Sequence, residues 1–333
     1  MNDKMSEMVA RKMPLSAGTS IVVPVFQSST SLEILKERVV SALCGRNFEV
    51  LLVDDGSDET TWASVKAVVS SDARFRGIRL SRNFGQHSAL VAGVRAARFE
   101  TTVTIDDDLQ NPPEEITKLL ERLDTSQADV VYGVSPLVRQ SLGRRIAGRI
   151  TRRTLKSGLG IASAPQMSSF RAFRTELREG FAGEIGTNVS LDALLTWAAS
   201  RYDHVNVRHD PREFGSSTYS MKKLVRFAID SMTGYSTLPL QIASLLGLAT
   251  ALFGVIVLLF VTLRPLIQGA SIPGFPFLAS TVAIFSGVQL LTLGVIGEYL
   301  ARMHFRIMNK PTYVISEMAI PNHQAYRQDC TDV

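Results

Sequence analysis

Cysteine is scarce in this chain. Cys44 and Cys330 are the only two in 333 residues. They are too few and too far apart for a disulfide framework or zinc-ligand spacing, and both read as free thiols of a reducing compartment. Tryptophan is as rare, at Trp62 and Trp197. The opening stretch, MNDKMSEMVARKMPLSAG, lacks the apolar core of a signal peptide. Residues 1–18 are therefore expected to form a flexible tail. No basic run alternates with aromatics as base stacking requires, so no nucleic-acid partner is expected. The net charge of +5 fits an anionic lipid surface instead.

Charge is missing altogether from two long runs. Leu240–Leu263 carries none, and neither does Phe277–Ile296, whose apolar character continues across Glu298 to Leu300. Each is long enough to cross ~30 Å of hydrocarbon. The expectation is a hairpin with spans at 240–263 and 277–300, joined by an external loop at 264–276. Lys222, Lys223 and Arg226 precede it, and Arg302, Arg306 and Lys310 follow it. The positive-inside rule then puts the catalytic part and the 301–333 tail in the cytoplasm, with the protein integral to the inner membrane. Gln289 is expected to bond between helices, and Glu298 to meet water or pair with Arg302. The hairpin also offers a surface for self-assembly into a homo-oligomer.

Before the hairpin, residues 222–239 read as an amphipathic juxtamembrane helix, with Leu224, Phe227, Ala228 and Met232 on one face. Further back, Leu142, Ile146 and Ile150 recur at helical spacing among Arg144, Arg145 and Arg152. A membrane-surface helix and a solvated charged helix both fit that pattern.

From Ser20 to Gly133 the pattern changes. SIVVPVF, FEVLLVD, FRGIRL, TTVTID and DVVYG are short apolar runs suited to strands buried on both faces. Helix-length segments separate them. Leu32, Leu35, Val39 and Leu43 share a face; Ser57 or Asp58 caps the next helix; Leu90, Val94 and Ala97 line the third; NPPEE opens the fourth. Alternating strand and helix predicts βαβ units and a mostly parallel sheet. Ligands of such sheets bind beyond the carboxyl ends of the strands. Asp54, Asp55, Asp106 and Asp108 all fall there. His87 is expected to help cap a helix near the same cleft.

Acids at a strand end repel one another unless something positive joins them. Asp106 and Asp108, two residues apart, suit one hard cation, Mg²⁺ or Mn²⁺, which takes carboxylates together with substrate phosphates. Asp54 and Asp55 would lie beside the same cleft and bond a base or ribose. A metal-bridged nucleotide diphosphate fits this arrangement.

Taken together, VVPVF, LLVDDGSDET, LSRNFGQHSAL and TIDDDLQNPPEEI resemble an inverting family 2 glycosyltransferase of the GT-A fold. REFGSSTYSMKKLVRFAIDSM and GVIGEYLARMHFRIMNKPTYVI resemble the later segments of polyprenyl-phosphate glycosyltransferases with two membrane helices. The likeness runs from about Thr19 to Ile315. It implies a GT-A domain over 19–221 and transfer of a sugar from a nucleotide diphosphate, UDP favoured, to a polyprenyl phosphate, with inversion. Asp106, Asp108 and Gln110 match the family's metal contacts. Pro24, Asp54 and Asp55 match nucleotide contacts. Arg212, Ser217 and Lys222 match a phosphate-engaging loop, with Arg212 catalytic. Arg149 and Ser168 match positions near the acceptor phosphate. Ser216 and Thr218 stand where the family often has Glu and Lys.

A phosphate acceptor, with a second pKa near 6, is largely ionised at neutral pH and needs no strong base. Asp192, the one acid placed to serve as a base, is thus read as positioning or structural. A processive synthase is disfavoured by two spans and by the missing Gln-x-x-Arg-Trp segment. A catalytically silent, membrane-tethered scaffold stays open. Glucose is the first choice of sugar; N-acetylhexosamine, mannose and a modified arabinose are the alternatives.

Overall fold

The computed structural model describes residues 15–135, 167–183, 190–210, 238–268, 274–307 and 311–321, and within the two longest helices only part of the side chains. The chain divides into two compact units. The first takes its described residues from 1–141, 163–218 and 309–333; those of the second fall within 219–308.

The first unit is built on an eight-stranded sheet. Its strands are β1 (Ser16–Val25), β2 (Phe48–Asp54), β3 (Phe75–Leu80), β4 (Phe99–Thr104), β5 (Val130–Val134), β6 (Arg171–Arg174), β7 (Tyr202–Asn206) and β8 (Ile315–Ala319), in the order β7-β5-β6-β4-β1-β2-β3-β8. β1 pairs parallel with both β2 and β4, and β2 with β3. β6 lies antiparallel between β4 and β5, and β8 antiparallel on β3. The sheet is thus parallel over β3-β2-β1-β4 and mixed outside it. β1 begins at Ser16, inside the stretch expected to be tail.

Period-two side chains sort the core into two layers. Ile21, Val23 and Val25 of β1 pack with Val50 and Leu52 of β2 on one face, under α1 (Leu32–Ala42), α2 (Glu59–Ser71) and α4 (Ile116–Thr125). Val22, Leu51 and Val53 point to the other face, under α3 (Gln86–Ala96) and α5 (Leu191–Ala198). β1 and β2 are apolar on both faces because both faces are covered. The expected stripes are all buried: Leu32, Leu35, Val39 and Leu43 below α1, and Leu90, Val94 and Ala97 below α3. Asp58 caps α2, its carboxylate accepting from the Thr61 N–H at 2.9 Å. Gly93 lets α3 lie close on β1, for a Cβ there would sit 2.3 Å from Val22 Cγ1.

β8 was not foreseen. Residues 301–333 read as a tail, yet Ile315–Ala319 closes the open edge of β3. The Ser81 N–H donates to Val314 O at 2.8 Å, and Ile315 is buried in the second core layer. A covered edge removes a row of unpaired backbone groups from β3.

The second unit contains two long helices, α6 (Leu238–Gln268) and α7 (Gly274–Ile307), in contact with each other. Both run past the bounds expected for the two spans. Much of their apolar surface is bare: Leu245 is 67% and Leu290 70% exposed, and Leu248, Leu252, Ile256, Leu293 and Leu300 are exposed as well. Among the described residues, no helix is long and apolar enough to cross a membrane. Gln289 is exposed, and the Glu298 and Arg302 side chains lie outside the described set. So do residues 142–153 and 222–237, where the two amphipathic segments were read.

If β8 is an integral strand, Ile315→Ala will lower the unfolding free energy of the full-length protein by about 2–3 kcal/mol. Glu317→Ala, on the exposed side of the same strand, will change it by less than ~0.5 kcal/mol. Denaturant titration in detergent compares the two. Equal, small effects would show β8 to be a loose appendage.

Candidate active site at the crevice between β1 and β4

Strand order reverses between β1 and β4, and this is where open sheets bind ligands. Pairing of β1 with β4 stops at Val22, after a last bond from the Ile105 N–H to Val22 O. Two residues on is Pro24, which has no N–H to continue a ladder. Pro24 itself is buried, opposite Val53 of β2.

The paired acids at the end of β2 stitch loops together. Asp54 is fully buried; its Oδ1 accepts from the Ser57 N–H at 3.0 Å, and its Oδ2 lies 3.4 Å from Arg79 Nε. Asp55 receives the Phe84 N–H at 2.8 Å and the Gly85 N–H at 2.9 Å, one on each oxygen. Burial pushes its carboxyl up, and the two amides oppose that shift. Gly56 makes this possible. Its φ is +69°, and a Cβ would lie 2.3 Å from the Arg82 carbonyl carbon, so the loops after β2 and β3 touch backbone to backbone. Both acids were expected to contact the nucleotide. Their described contacts are to the loops after β2 and β3 and to Arg79.

The acids after β4 are arranged differently. Asp106 Oδ1 accepts from Gln86 Nε2 at 2.7 Å, and Oδ2 from Ser169 Oγ at 2.6 Å. Asp108 Oδ1 accepts from the Gln110 N–H at 3.2 Å. Leu109, between them, has φ +58° and is buried in the core. Its left-handed turn brings Asp108 and Gln110 together, and its buried side chain holds a conformation that is costly for leucine. The Gln110 carbonyl accepts from the Asp210 N–H at 2.8 Å. Asp107 is pushed up to about 7, first by burial; Ser28 donates to it and opposes the shift, while Asp106 and Asp108 add to it. Asp107 Oδ2 is buried with no hydrogen-bond partner.

Among the described residues, no group of three or more His, Cys, Asp or Glu forms a metal cage. Two carboxylates and an amide in one five-residue turn instead fit a hard cation whose remaining ligands come from substrate oxygens and water.

A second polar cluster lies behind the turn. Arg171, 1% exposed, forms an ion pair with Asp192, and its Nε donates to Thr104 Oγ1 at 3.1 Å. Thr104 Oγ1 donates in turn to the Ser169 carbonyl at 2.6 Å. His87 sits in the first turn of α3, where Gly85 is the cap, and its Nδ1 accepts a long 3.4 Å bond from the Leu191 N–H. It thus touches the start of α5 rather than capping its own helix. Burial holds its imidazole below the ordinary range; Asp192 pulls the other way, and Arg171 adds to the burial effect. Ser168 Oγ accepts from the Phe170 N–H at 3.2 Å. Its neighbour Ser169, passed over in the sequence, is the one that reaches Asp106. Gln86 and Arg171 were also missed; an arginine inside the apolar run FRAF was the available signal. Arg149, Arg212, Ser217 and Lys222 lie outside the described residues.

Comparison with known proteins adds to this geometry. The model of glycosyl transferase family 2 matches residues 20–181. An undecaprenyl-phosphate 4-deoxy-4-formamido-L-arabinose transferase of Pseudomonas paraeruginosa is 34% identical over 304 residues, 90% of this chain and 89% of that one. The transferase of the same name from Salmonella paratyphi B is 32% identical over 315 residues, covering 93% and 96%. Among solved structures, glucosyl-3-phosphoglycerate synthase from Mycobacterium tuberculosis aligns with a TM-score of 0.48 at 17% identity, over 69% of this chain and 82% of that one.

Gly56→Ala will cost more than ~2 kcal/mol of stability, because a strained φ and a backbone clash coincide; Gly45→Ala, positive in φ but facing open space, will cost less. Thermal unfolding ranks the two, and equal costs would dismiss the close approach. The second expectation concerns pH. The folded His87 resists a proton that the unfolded chain accepts below about pH 6.5. Its contribution is therefore full above that pH and is lost as the pH falls through it toward the folded value. His87→Asn, which keeps an acceptor for the Leu191 N–H, will flatten the fall in stability between about pH 6.5 and 5. An unchanged slope would mean that His87 is protonated in the folded protein.

Proposed function

The chain belongs to glycosyl transferase family 2, and we propose that it moves a sugar from a nucleotide diphosphate, UDP favoured, onto undecaprenyl phosphate with inversion at the anomeric carbon. One observation carries the reading: the Asp106–Gln110 turn stands at the topological switch point of a chain that matches named undecaprenyl-phosphate sugar transferases over nine-tenths of its length. Those relatives act on 4-deoxy-4-formamido-L-arabinose. A modified arabinose therefore replaces glucose as the first choice of donor; glucose finds no support among them.

In this reading Asp106, Asp108 and the Gln110 side chain hold Mg²⁺ or Mn²⁺ against the donor diphosphate. The cation supplies charge stabilisation to the leaving diphosphate. An acceptor phosphate oxygen attacks the anomeric carbon as the bond to the diphosphate oxygen breaks, and no proton has to be removed from the nucleophile. Asp192, engaged with Arg171, is consistent with a reaction that needs no carboxylate base. Arg212, Ser217 and Lys222 are assigned to the donor phosphates, and Arg149 and Ser168 to the acceptor phosphate. The α6–α7 pair is assigned to the bilayer, with both termini cytoplasmic. The bare leucine surface of these helices supports this, since water-facing helices do not keep such a face.

Purified full-length protein in detergent will release nucleoside diphosphate only when undecaprenyl phosphate, a divalent cation and the right donor are all present. The panel is UDP-4-deoxy-4-formamido-L-arabinose, UDP-glucose, UDP-N-acetylglucosamine and GDP-mannose. Asp108→Asn will lower the rate by at least ~10²-fold. Turnover with UDP-glucose alone would restore glucose. Nucleotide binding without turnover on any donor would favour the scaffold reading.

A further inference from the structure

Among the described residues, two uncharged donors grip Asp106 from two sides. Gln86 approaches from the first turn of α3 and takes Oδ1; Ser169, just ahead of β6, takes Oδ2. Each donor is itself fixed. Gln86 follows Gly85, whose N–H is bound by Asp55. Ser169 is held through its carbonyl by Thr104, and Thr104 by buried Arg171, itself ion-paired with Asp192.

We propose that Gln86 and Ser169 are positioning residues. They form a clamp that sets the orientation of the Asp106 carboxylate before a divalent cation arrives, with the Arg171–Asp192 pair as the anchor of one jaw. The inference rests on the metal-dependent reading given above and extends it to residues that reading does not use. The chemistry of the donors is the argument. An amide and a hydroxyl each occupy one lone pair of a carboxylate oxygen without themselves neutralising its charge. Lysine or arginine at either place would neutralise that charge and compete with the metal. A carboxylate free to rotate would have to be ordered at the moment of binding, which lowers affinity. Groups that orient a metal ligand in this way are typically worth about 10–100-fold in metal affinity. The two jaws come from opposite sides of β4 in sequence, one before it and one after it. Folding of the sheet is therefore what assembles the clamp.

The test uses full-length protein in detergent with UDP, titrated with Mn²⁺ and followed by electron paramagnetic resonance of the free ion. Ser169→Ala and Gln86→Ala will each weaken Mn²⁺ binding about 10-fold, and the double variant will weaken it further. The Mn²⁺ concentration for half-maximal turnover will rise in parallel, while excess Mn²⁺ will recover most of kcat. Ser169→Thr, which keeps the hydroxyl, will bind Mn²⁺ within about threefold of the parent. Ile315→Ala, destabilised but remote from the turn, will bind as the parent does. Gln86 is exposed, so its variant will fold even where Ser169→Ala does not. Wild-type protein that binds Mn²⁺ while both alanine variants match it within about twofold would overturn the clamp and leave the transferase reading standing. Wild-type protein that binds no Mn²⁺ with UDP would remove the metal reading and the clamp together.

Discussion

Three carboxylates in succession at the end of one strand repel one another, and much of the surrounding structure exists to hold them there. Each is managed differently. Among the described residues, Asp106 is held by two neutral donors, and Asp108 by the Gln110 amide across a left-handed leucine. Asp107 is buried and driven toward the neutral form. A turn left to relax would splay all three into water. This one is pinned from below by Leu109 in the core and from the sides by loops that Asp54, Asp55 and Gly56 tie together. Stability is given up at one strand end so that a concentrated negative site exists before any ligand arrives.

Much of the sheet was legible because its signals are local. β2 and β3 are the quoted runs FEVLLVD and FRGIRL to the residue, and Asp58 is a cap by residue type and position alone. The switch point followed from alternation of strand and helix, which put the acids on the correct edge. Less was visible where a residue's partner is distant in sequence. The pattern that places Asp55 at a strand end cannot say that its oxygens meet amides 29 and 30 residues on. Ser168 and Ser169 are indistinguishable by composition, and only the register of β6 against β4 decides which one faces Asp106. β8 was hidden for another reason: ISEMA is short and half polar, as an edge strand covering another strand can be.

The Arg171–Asp192 pair shows why an acid near the site is poor grounds for naming a base. Removing one partner from such a pair leaves an uncompensated charge and costs about 3–5 kcal/mol. Loss of activity in an Asp192 variant would follow from that alone. His87 and Tyr132 lie in the field of the same pair, and burial shifts both toward their neutral forms, His87 down and Tyr132 up. Burial thus holds the neighbours of this ion pair toward their neutral forms, an arrangement suited to keeping Thr104 and Ser169 in place. Proton transfer would require the opposite, a group whose charge changes easily.

Chain topology bears on the membrane independently of charge. β7 and β8 belong to one sheet, and the two long helices lie between them in sequence. A chain that leaves this sheet after Asn206 and rejoins it at Ile315 must end on the side of any membrane where it began. An even number of spans meets that condition, and an odd number does not. Two helices read as a spanning pair are thus the smallest insertion that crosses a bilayer and still delivers β8 to β3. The positive residues flanking the uncharged runs lead to the same arrangement from electrostatics. β8 then does more than cover an edge. By pairing Ile78 with Met318 and Leu80 with Ile315, it ties the segment after the second helix to the strand that carries Arg79, the partner of Asp54. The pairing that closes the sheet would therefore allow only an even number of any crossings between β7 and β8.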